Sequence, residues 1–179
     1  MEHMTAIKDL IPDYAKDIRL NLDAVLSRSS LEAHHALGAA LAAAFAARAK
    51  PLVEVLRASG ALEATHAQAA LTAAALMGMN NVWYPYVEMA GDADLKTARP
   101  ELRMNAYASH GGVDRASFEL YALAASIVGK CEFCVQSHYK LLRESGFTVQ
   151  QLRDIGRIAA VVNAAAQVIA AESETVGAT

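Results

Sequence analysis

Strand-forming patterns are nearly absent from this chain: alternating Val, Ile, Thr and aromatic runs are scarce, which excludes a sheet-based fold. An excess of positive charge is also missing. With a net charge of −3 and a pI near 6.1, the surface offers little to a phosphate backbone, and a nucleic-acid partner is not expected. The opening MEHMTAIKDL has neither a basic segment nor an apolar one behind it, so no secretory signal is expected. The longest apolar stretches are alanine-rich and broken by Arg48, Gln68 or Glu119. None supplies the roughly 20 strongly apolar residues that span a bilayer. A cytoplasmic protein with no membrane association is the expectation.

Cysteine is scarce too, with two in 179 residues, Cys131 and Cys134. In a reducing compartment a pair three apart is poorly suited to be a static staple. It closes so short a loop that it restrains the unfolded chain little.

What is abundant is alanine, in runs such as Ala39 to Ala47, within a composition that is 54% hydrophobic. Alanine is the best helix former, and the chain reads as all-α. Residues 1–179 read as one compact helical domain, with a small polar tail fraying from about Ser173. Pro12 introduces an amphipathic segment through Tyr14, Ile18, Leu22 and Val25. Ser29 or Ser30 is positioned to cap a helix through Leu31, Leu37, Leu41 and Phe45. Pro51 suits the first turn of a short helix that ends before Gly60.

A helix opening near Thr65 is expected to stop at Gly78-Met79-Asn80-Asn81, with Val82 to Met89 as a separate short piece. There the methionines read as core, and the asparagines as partners for free backbone carbonyls. After the His110-Gly111-Gly112 break, Asp114 or Ser117 caps a helix that closes at Gly129. Another runs from about Cys131 to Ser145, with Gly146 behind it. Thr148 to Gln151 reads as a capping box for the last helix. The two halves share a helix rhythm, without an evident sequence repeat.

The chemistry concentrates in Gly129-Lys130-Cys131-Glu132-Phe133-Cys134-Val135-Gln136-Ser137-His138. If a helix begins at Cys131, then Cys131, Cys134 and His138 fall within an arc of roughly 60° on one face. Cα atoms three apart on a first turn are about 5 Å apart, within the window a disulfide needs. A thiol there faces unpaired backbone N–H groups and the positive end of the helix dipole, which favour thiolate. His138 and Lys130 add positive charge, and Glu132 opposes it.

Zinc is a rival reading, because Cys131, Cys134 and His138 are three plausible ligands. A structural zinc site wants four, and His34, His35, His66 and His110 offer no paired spacing for the fourth. Thioredoxin-like chemistry lacks its preceding strand. Glu119, among Phe118, Leu120 and Leu123, is either on the wet face of its helix or a buried proton carrier. Periodicity leaves both open.

These residues resemble the alkyl hydroperoxidase D family, within the carboxymuconolactone decarboxylase-like superfamily. The resemblance spans nearly the whole chain. It is carried by the Pro12 to Leu22 segment, Met77-Gly78-Met79-Asn80-Asn81-Val82, Leu102-Arg103-Met104-Asn105, Phe118-Glu119-Leu120 and Cys131-x-x-Cys134-x-x-x-His138. It implies an all-helical protein assembled as a homotrimer or hexamer.

The resemblance also implies site roles. Cys134 attacks the peroxide and becomes a sulfenic acid. Cys131 resolves it to the Cys131–Cys134 disulfide and takes part in proton transfer, and Glu119 and His138 form the proton relay. No cofactor is bound. Dihydrolipoamide is the reducing substrate, delivered by the lipoyl-bearing dihydrolipoamide acyltransferase and dehydrogenase system. The peroxiredoxin AhpC is regenerated through a mixed disulfide at Cys134. Phe133 departs from the family pattern, since some members carry a proton-transferring histidine beside the second cysteine. Other superfamily members are decarboxylases that act without a dithiol.

Overall fold

The structure, a computed structural model, describes residues 2–175, with side chains described between 5 and 172. Ten α-helices and two 3-10 turns occupy the described residues, which contain no strand. The order is α1 (Glu2–Asp9), a 3-10 turn (Asp13–Ala15), α2 (Lys16–Ser27), α3 (Ala33–Ala46), α4 (Lys50–Ala58) and α5 (Ala64–Ala90). It continues with α6 (Ala93–Thr97), α7 (Asn105–Ala108), a 3-10 turn (His110–Gly112), α8 (Arg115–Gly129), α9 (Glu132–Glu144) and α10 (Val149–Thr175). The all-α expectation holds.

Helices α3 and α8 form the centre. Both are apolar around most of their circumference, so neither can present a dry face to water, and both are enclosed. Residues Ala39 to Ala44 are fully buried, as are those from Phe118 to Ala125. Alanine lets the backbones approach closely, and α8 packs at once against α3, α5, α9 and α10. One close approach is strict. A Cβ at Gly38 on α3 would lie 2.2 Å from Cε1 of the buried Tyr121 on α8, so the absent side chain is the seat for that ring. The rhythm shared by the two halves is visible as helix lengths of 14, 9 and 27 residues for α3–α5 and 15, 13 and 27 for α8–α10.

Several local signals act as read. Pro51 lies in the first turn of α4. Asp114 caps α8 by accepting from the Ser117 N–H, and Gly146 follows α9 with a φ of 94°. Thr148 and Gln151 bond reciprocally at the start of α10.

Two expectations are corrected. The stop at Gly78 to Asn81 does not occur, and α5 runs unbroken from Ala64 to Ala90 through Gly78 and Pro85. A mid-helix glycine costs about 1 kcal/mol and an interior proline about 3. Both are offset by burying Ala69, Ala70, Ala73, Ala74 and Met77 along one side. The Asn81 side chain is satisfied laterally, its Nδ2 donating to the Ala125 carbonyl on α8 at 3.2 Å. Second, neither Ser29 nor Ser30 caps α3, whose N-cap is Glu32 without a side-chain bond. The backbone of α10 is described to Thr175; the rest of the tail expected to fray from about Ser173, residues 176–179, lies outside the described residues.

Ser30 is drawn away by a carboxylate. Its N–H and hydroxyl donate to Oδ2 of buried Asp154 on α10 at 2.9 and 2.7 Å, and Arg153 and Arg157 reach Oδ1 at 3.1 Å. Burial works against ionising Asp154, but the bonds from Ser30 and the two arginines outweigh it and lower its pKa to about 2. Because the folded value lies below the ordinary 3.8, this stabilisation is complete above that pH and is lost as pH falls towards about 2. Asp154→Ala removes the acceptor shared by the Ser30 N–H and hydroxyl and both arginines, and is expected to cost about 1–2 kcal/mol at pH 7. Thermal melts check this: the gap between wild type and variant is expected to be widest at pH 7 and to narrow below pH 4.

Helix α10 also bears on the membrane expectation. Val149–Glu172 is long and apolar enough, by length and composition, to cross a bilayer. Its Leu152, Ile155, Ile158, Val162 and Ile169 are instead buried in the protein core.

Candidate active site

The site is built at the junction of α8 and α9. Helix α8 ends at Gly129, and Lys130 turns the chain in the left-handed region, φ 56°. The Cys131 N–H then donates to the Ser126 carbonyl at 3.3 Å. This tight reversal makes Cys131 the N-cap of α9, with Cys134 one turn in, and the Cys134 N–H donates to Cys131 Sγ at 3.3 Å. An unpaired donor of the first turn thus points at sulfur, the arrangement that stabilises a thiolate.

The two cysteines are joined as a disulfide with Cα atoms 5.3 Å apart. Their exposures are 0% and 3%, so any reactant must be slender or the site must open. The backbone carbonyl of Asn80 on α5 lies 3.9 Å from Cys131 Sγ. A side chain at Gly129 is excluded at the same junction, because its Cβ would fall 2.0 Å from Asn81 Nδ2.

His138, a further turn along α9, is 5% exposed and meets Glu119, 2% exposed, from α8. Its Nδ1–H donates to Glu119 Oε2 at 2.6 Å, and its Nε2 faces the Met77 Sδ at 3.2 Å. The other carboxylate oxygen, Oε1, accepts from the Tyr107 hydroxyl and lies 3.7 Å from Arg115 Nε. Burial opposes ionising Glu119, but the bonds from His138 and Tyr107 and the charges of His138 and Arg115 prevail and hold it below the usual carboxylate range. Burial and the bond to that carboxylate push the Tyr107 hydroxyl up, so it stays a donor. The ambiguity over Glu119 is settled in favour of burial.

All four residues singled out from the sequence, Cys131, Cys134, His138 and Glu119, therefore lie at one junction. Tyr107 and Arg115 are not among the residues the sequence singles out, Met77 reads there as core only, and Asn80 reads as a helix-end asparagine, whereas its amide faces the Met77 and Met104 sulfurs. Met77 is indeed fully buried, but its sulfur also touches His138. No pattern marks Tyr107, which sits in the irregular stretch after Pro100. Arg115 carries a faint signal, four residues before Glu119 on one helix face.

Phe133 points outward at 50% exposure and stacks on Tyr84 of α5 at 4.3 Å. Of the four histidines weighed as a further zinc ligand, His110 neighbours Tyr107 at a ring separation of 6.4 Å, and the other three lie elsewhere. His34, His35 and His66 cluster where α3 and α5 begin, with ring separations of 4.1 and 4.6 Å. There His35 lies 3.0 Å from Ser117 and His66 2.8 Å from Tyr121. Burial and the neighbouring imidazoles outweigh the attraction of Asp114 and lower the pKa of His35 to about 4. Among the described residues no group of three or more His, Cys, Asp or Glu is placed to hold a metal ion.

Known proteins resemble this chain in its C-terminal half and along its length. Residues 93–175 match the carboxymuconolactone decarboxylase family model. An alkyl hydroperoxide reductase AhpD of Rhodospirillum centenum is 44% identical over 96% of this chain and 93% of its own. The AhpD of Coxiella burnetii is 40% identical over 94% and 97%, and that of a Bradyrhizobium species 41% over 95% and 94%. At such identity over nearly the full length of both chains, with the dithiol, the histidine and a buried glutamate gathered at one helix junction, this chain belongs to the AhpD family of alkyl hydroperoxide reductases.

Proposed function

We propose that the protein reduces alkyl hydroperoxides through a dithiol–disulfide cycle at Cys131 and Cys134. The observation that carries this reading is the Tyr107–Glu119–His138 chain of hydrogen bonds, buried at its glutamate and histidine, which ends one turn of α9 beyond Cys134. A buried carboxylate held ionised against an imidazole is a means of moving protons, and the neighbouring groups that exchange protons in a redox cycle are the two thiols.

In the cycle, Cys134 thiolate attacks the distal oxygen of ROOH. The O–O bond breaks, and the departing alkoxide takes a proton from the relay to leave as ROH, with Cys134 as sulfenic acid. Cys131 thiolate then attacks that sulfur. The S–O bond breaks, water leaves with a second proton, and the disulfide closes. One hydroperoxide is reduced by two electrons as two thiols are oxidised. Two electrons from dihydrolipoamide restore the dithiol by exchange, and the reduced protein also regenerates AhpC through a mixed disulfide at Cys134. The near-complete burial of both sulfurs favours a slender reductant, as a lipoyl arm is.

The cycle is assigned to the cytoplasm, where a reducing pool sustains it. Self-association, as the homotrimer or hexamer that the family resemblance implies, is supported by Val82, Tyr86 and Met89, which stand exposed along one edge of α5, an apolar stripe of the kind that partners cover.

The test is consumption of an organic hydroperoxide with dihydrolipoamide as sole reductant. Steady turnover, lost after alkylation of the thiols, is the expected result. No turnover from fully reduced protein would count against the direct peroxidase step.

A further inference from the structure

The peroxidase reading leaves open what selects the organic part of the hydroperoxide, and a groove beside the dithiol bears on it. A cavity of about 240 Å³ lies between the second half of α5, the segment from α6 to Pro100, and Phe133 of α9. Its walls are the Trp83 and Tyr84 rings, Val87, Leu95, Pro100 and Phe133. The two charged residues on its edge, Glu88 and Lys96, pair with each other at 3.0 Å. The groove thus offers no unpaired charge to a carboxylate or an ammonium group.

Its position is as informative as its lining. Phe133 stands between the two cysteines in the first turn of α9, directly before Cys134. Its ring lines the groove, while the next residue of the same turn, Cys134, carries the sulfur that attacks peroxide on the buried side of the helix. The groove face of α5 is also separate from its exposed stripe. At 100° per residue, Trp83, Tyr84, Val87 and Glu88 span roughly 140° of the helix, whereas Val82, Tyr86 and Met89 occupy roughly 60° outside that arc.

We propose that this groove seats the hydrocarbon chain of the hydroperoxide substrate, with Trp83, Tyr84 and Phe133 as residues that set chain-length preference. The proposal rests on the peroxidase reading. The occupant is an uncharged straight chain: the lining is apolar, its charges are internally neutralised, and the volume is below that of pockets for drug-sized ligands. With a methylene taken as about the size of a water, roughly 30 Å³, the groove holds roughly eight carbons. Each methylene buried in a half-open groove is expected to raise the oxidation rate constant about two- to fourfold.

The experiment uses the full chain, reduced beforehand and freed of reductant, and follows thiol loss by stopped flow. Oxidants are hydrogen peroxide and straight-chain hydroperoxides of two to ten carbons. The expected result is a rate constant that climbs with chain length and levels near eight carbons. Trp83→Ala is expected to lower the slope. Ala98→Trp fills the groove from an exposed position, where folding is little affected, and is expected to flatten the series beyond the shortest chains. A flat series in the wild type, or an unchanged slope in Ala98→Trp, would overturn the groove assignment alone. In a companion steady-state assay, a loss in either variant confined to the KM for dihydrolipoamide would give the groove to the reductant's arm and overturn it likewise. If neither hydrogen peroxide nor any hydroperoxide oxidises the thiols, the peroxidase reading fails first and the groove assignment falls with it.

Discussion

Cys134→Ser is expected to lower hydroperoxide turnover by a factor on the order of 10³ or more, the loss typical of removing an essential nucleophile. Cys131→Ser is expected to abolish turnover as well, but by a different route. With Cys134 still present, one equivalent of hydroperoxide is consumed and the chain halts as a sulfenic acid, which a sulfenate-trapping diketone labels. Cys134→Ser consumes no equivalent and takes no label. Loss of fold does not confuse the comparison. Serine is itself a strong N-cap, so Ser at 131 keeps the start of α9, where Cys131 now accepts from the Cys134 N–H. Far-ultraviolet circular dichroism of both variants is expected to match wild type. Single-turnover consumption by Cys134→Ser with none by Cys131→Ser would reverse the two roles.

The second large effect is expected at Glu119. Its carboxylate accepts from His138 on one oxygen and from Tyr107 on the other. Glu119→Gln preserves size but removes the charge and replaces one acceptor by an NH₂ that faces a donor. A general acid–base group typically contributes about 10²- to 10⁴-fold, and kcat for the organic hydroperoxide is expected to fall within that range.

A pH profile separates this from a merely structural role. Because Glu119 is held below its ordinary 4.5, its carboxylate is present above that range. The activity it supports is expected to fade only as pH drops through the lowered value. Glu119→Gln is expected to lose that acid limb. Tyr107→Phe keeps the carboxylate but removes one donor, so Tyr107 acts as a positioning residue. Its variant is expected to lose about tenfold in kcat, with the acid limb moved to higher pH, because one hydrogen bond that favours ionisation is gone. An unchanged profile in both variants would remove Glu119 from proton transfer.

The parts of this site differ in how far they could be read ahead of the fold. Cys131, Cys134 and His138 lie within eight residues, and helical periodicity alone places them on one face. That face depends only on a helix starting where Cys131 can cap it. Glu119 is nineteen residues from His138, and its neighbours in sequence are equally compatible with a wet face or a buried one. Family resemblance supplied its role; its burial came from the enclosure of α8 by α3, α5, α9 and α10. Tyr107 and Met77 reach the site from α7 and α5, elements with no sequence relation to the dithiol. The unbroken course of α5 is hidden from any local window for the same reason. Gly78, Asn80, Asn81 and Pro85 are local stop signals, and only lateral burial and the bond from Asn81 to α8 outweigh them. Ser30 shows the converse, a sound capping residue diverted by a carboxylate on α10.

By itself, then, the sequence determined the helical class, the capping box at Thr148, and the spacing of a dithiol with its histidine. These are properties of consecutive residues, set by propensity and by 3.6-residue periodicity. The tertiary structure alone decided that Glu119 is buried and ionised against His138, that Tyr107 and Met77 complete its surroundings, and that an apolar groove opens beside Phe133. Each depends on which helices lie against one another. That choice is made by the burial of alanine-rich faces across the whole chain, a sum over distant residues that no local window contains.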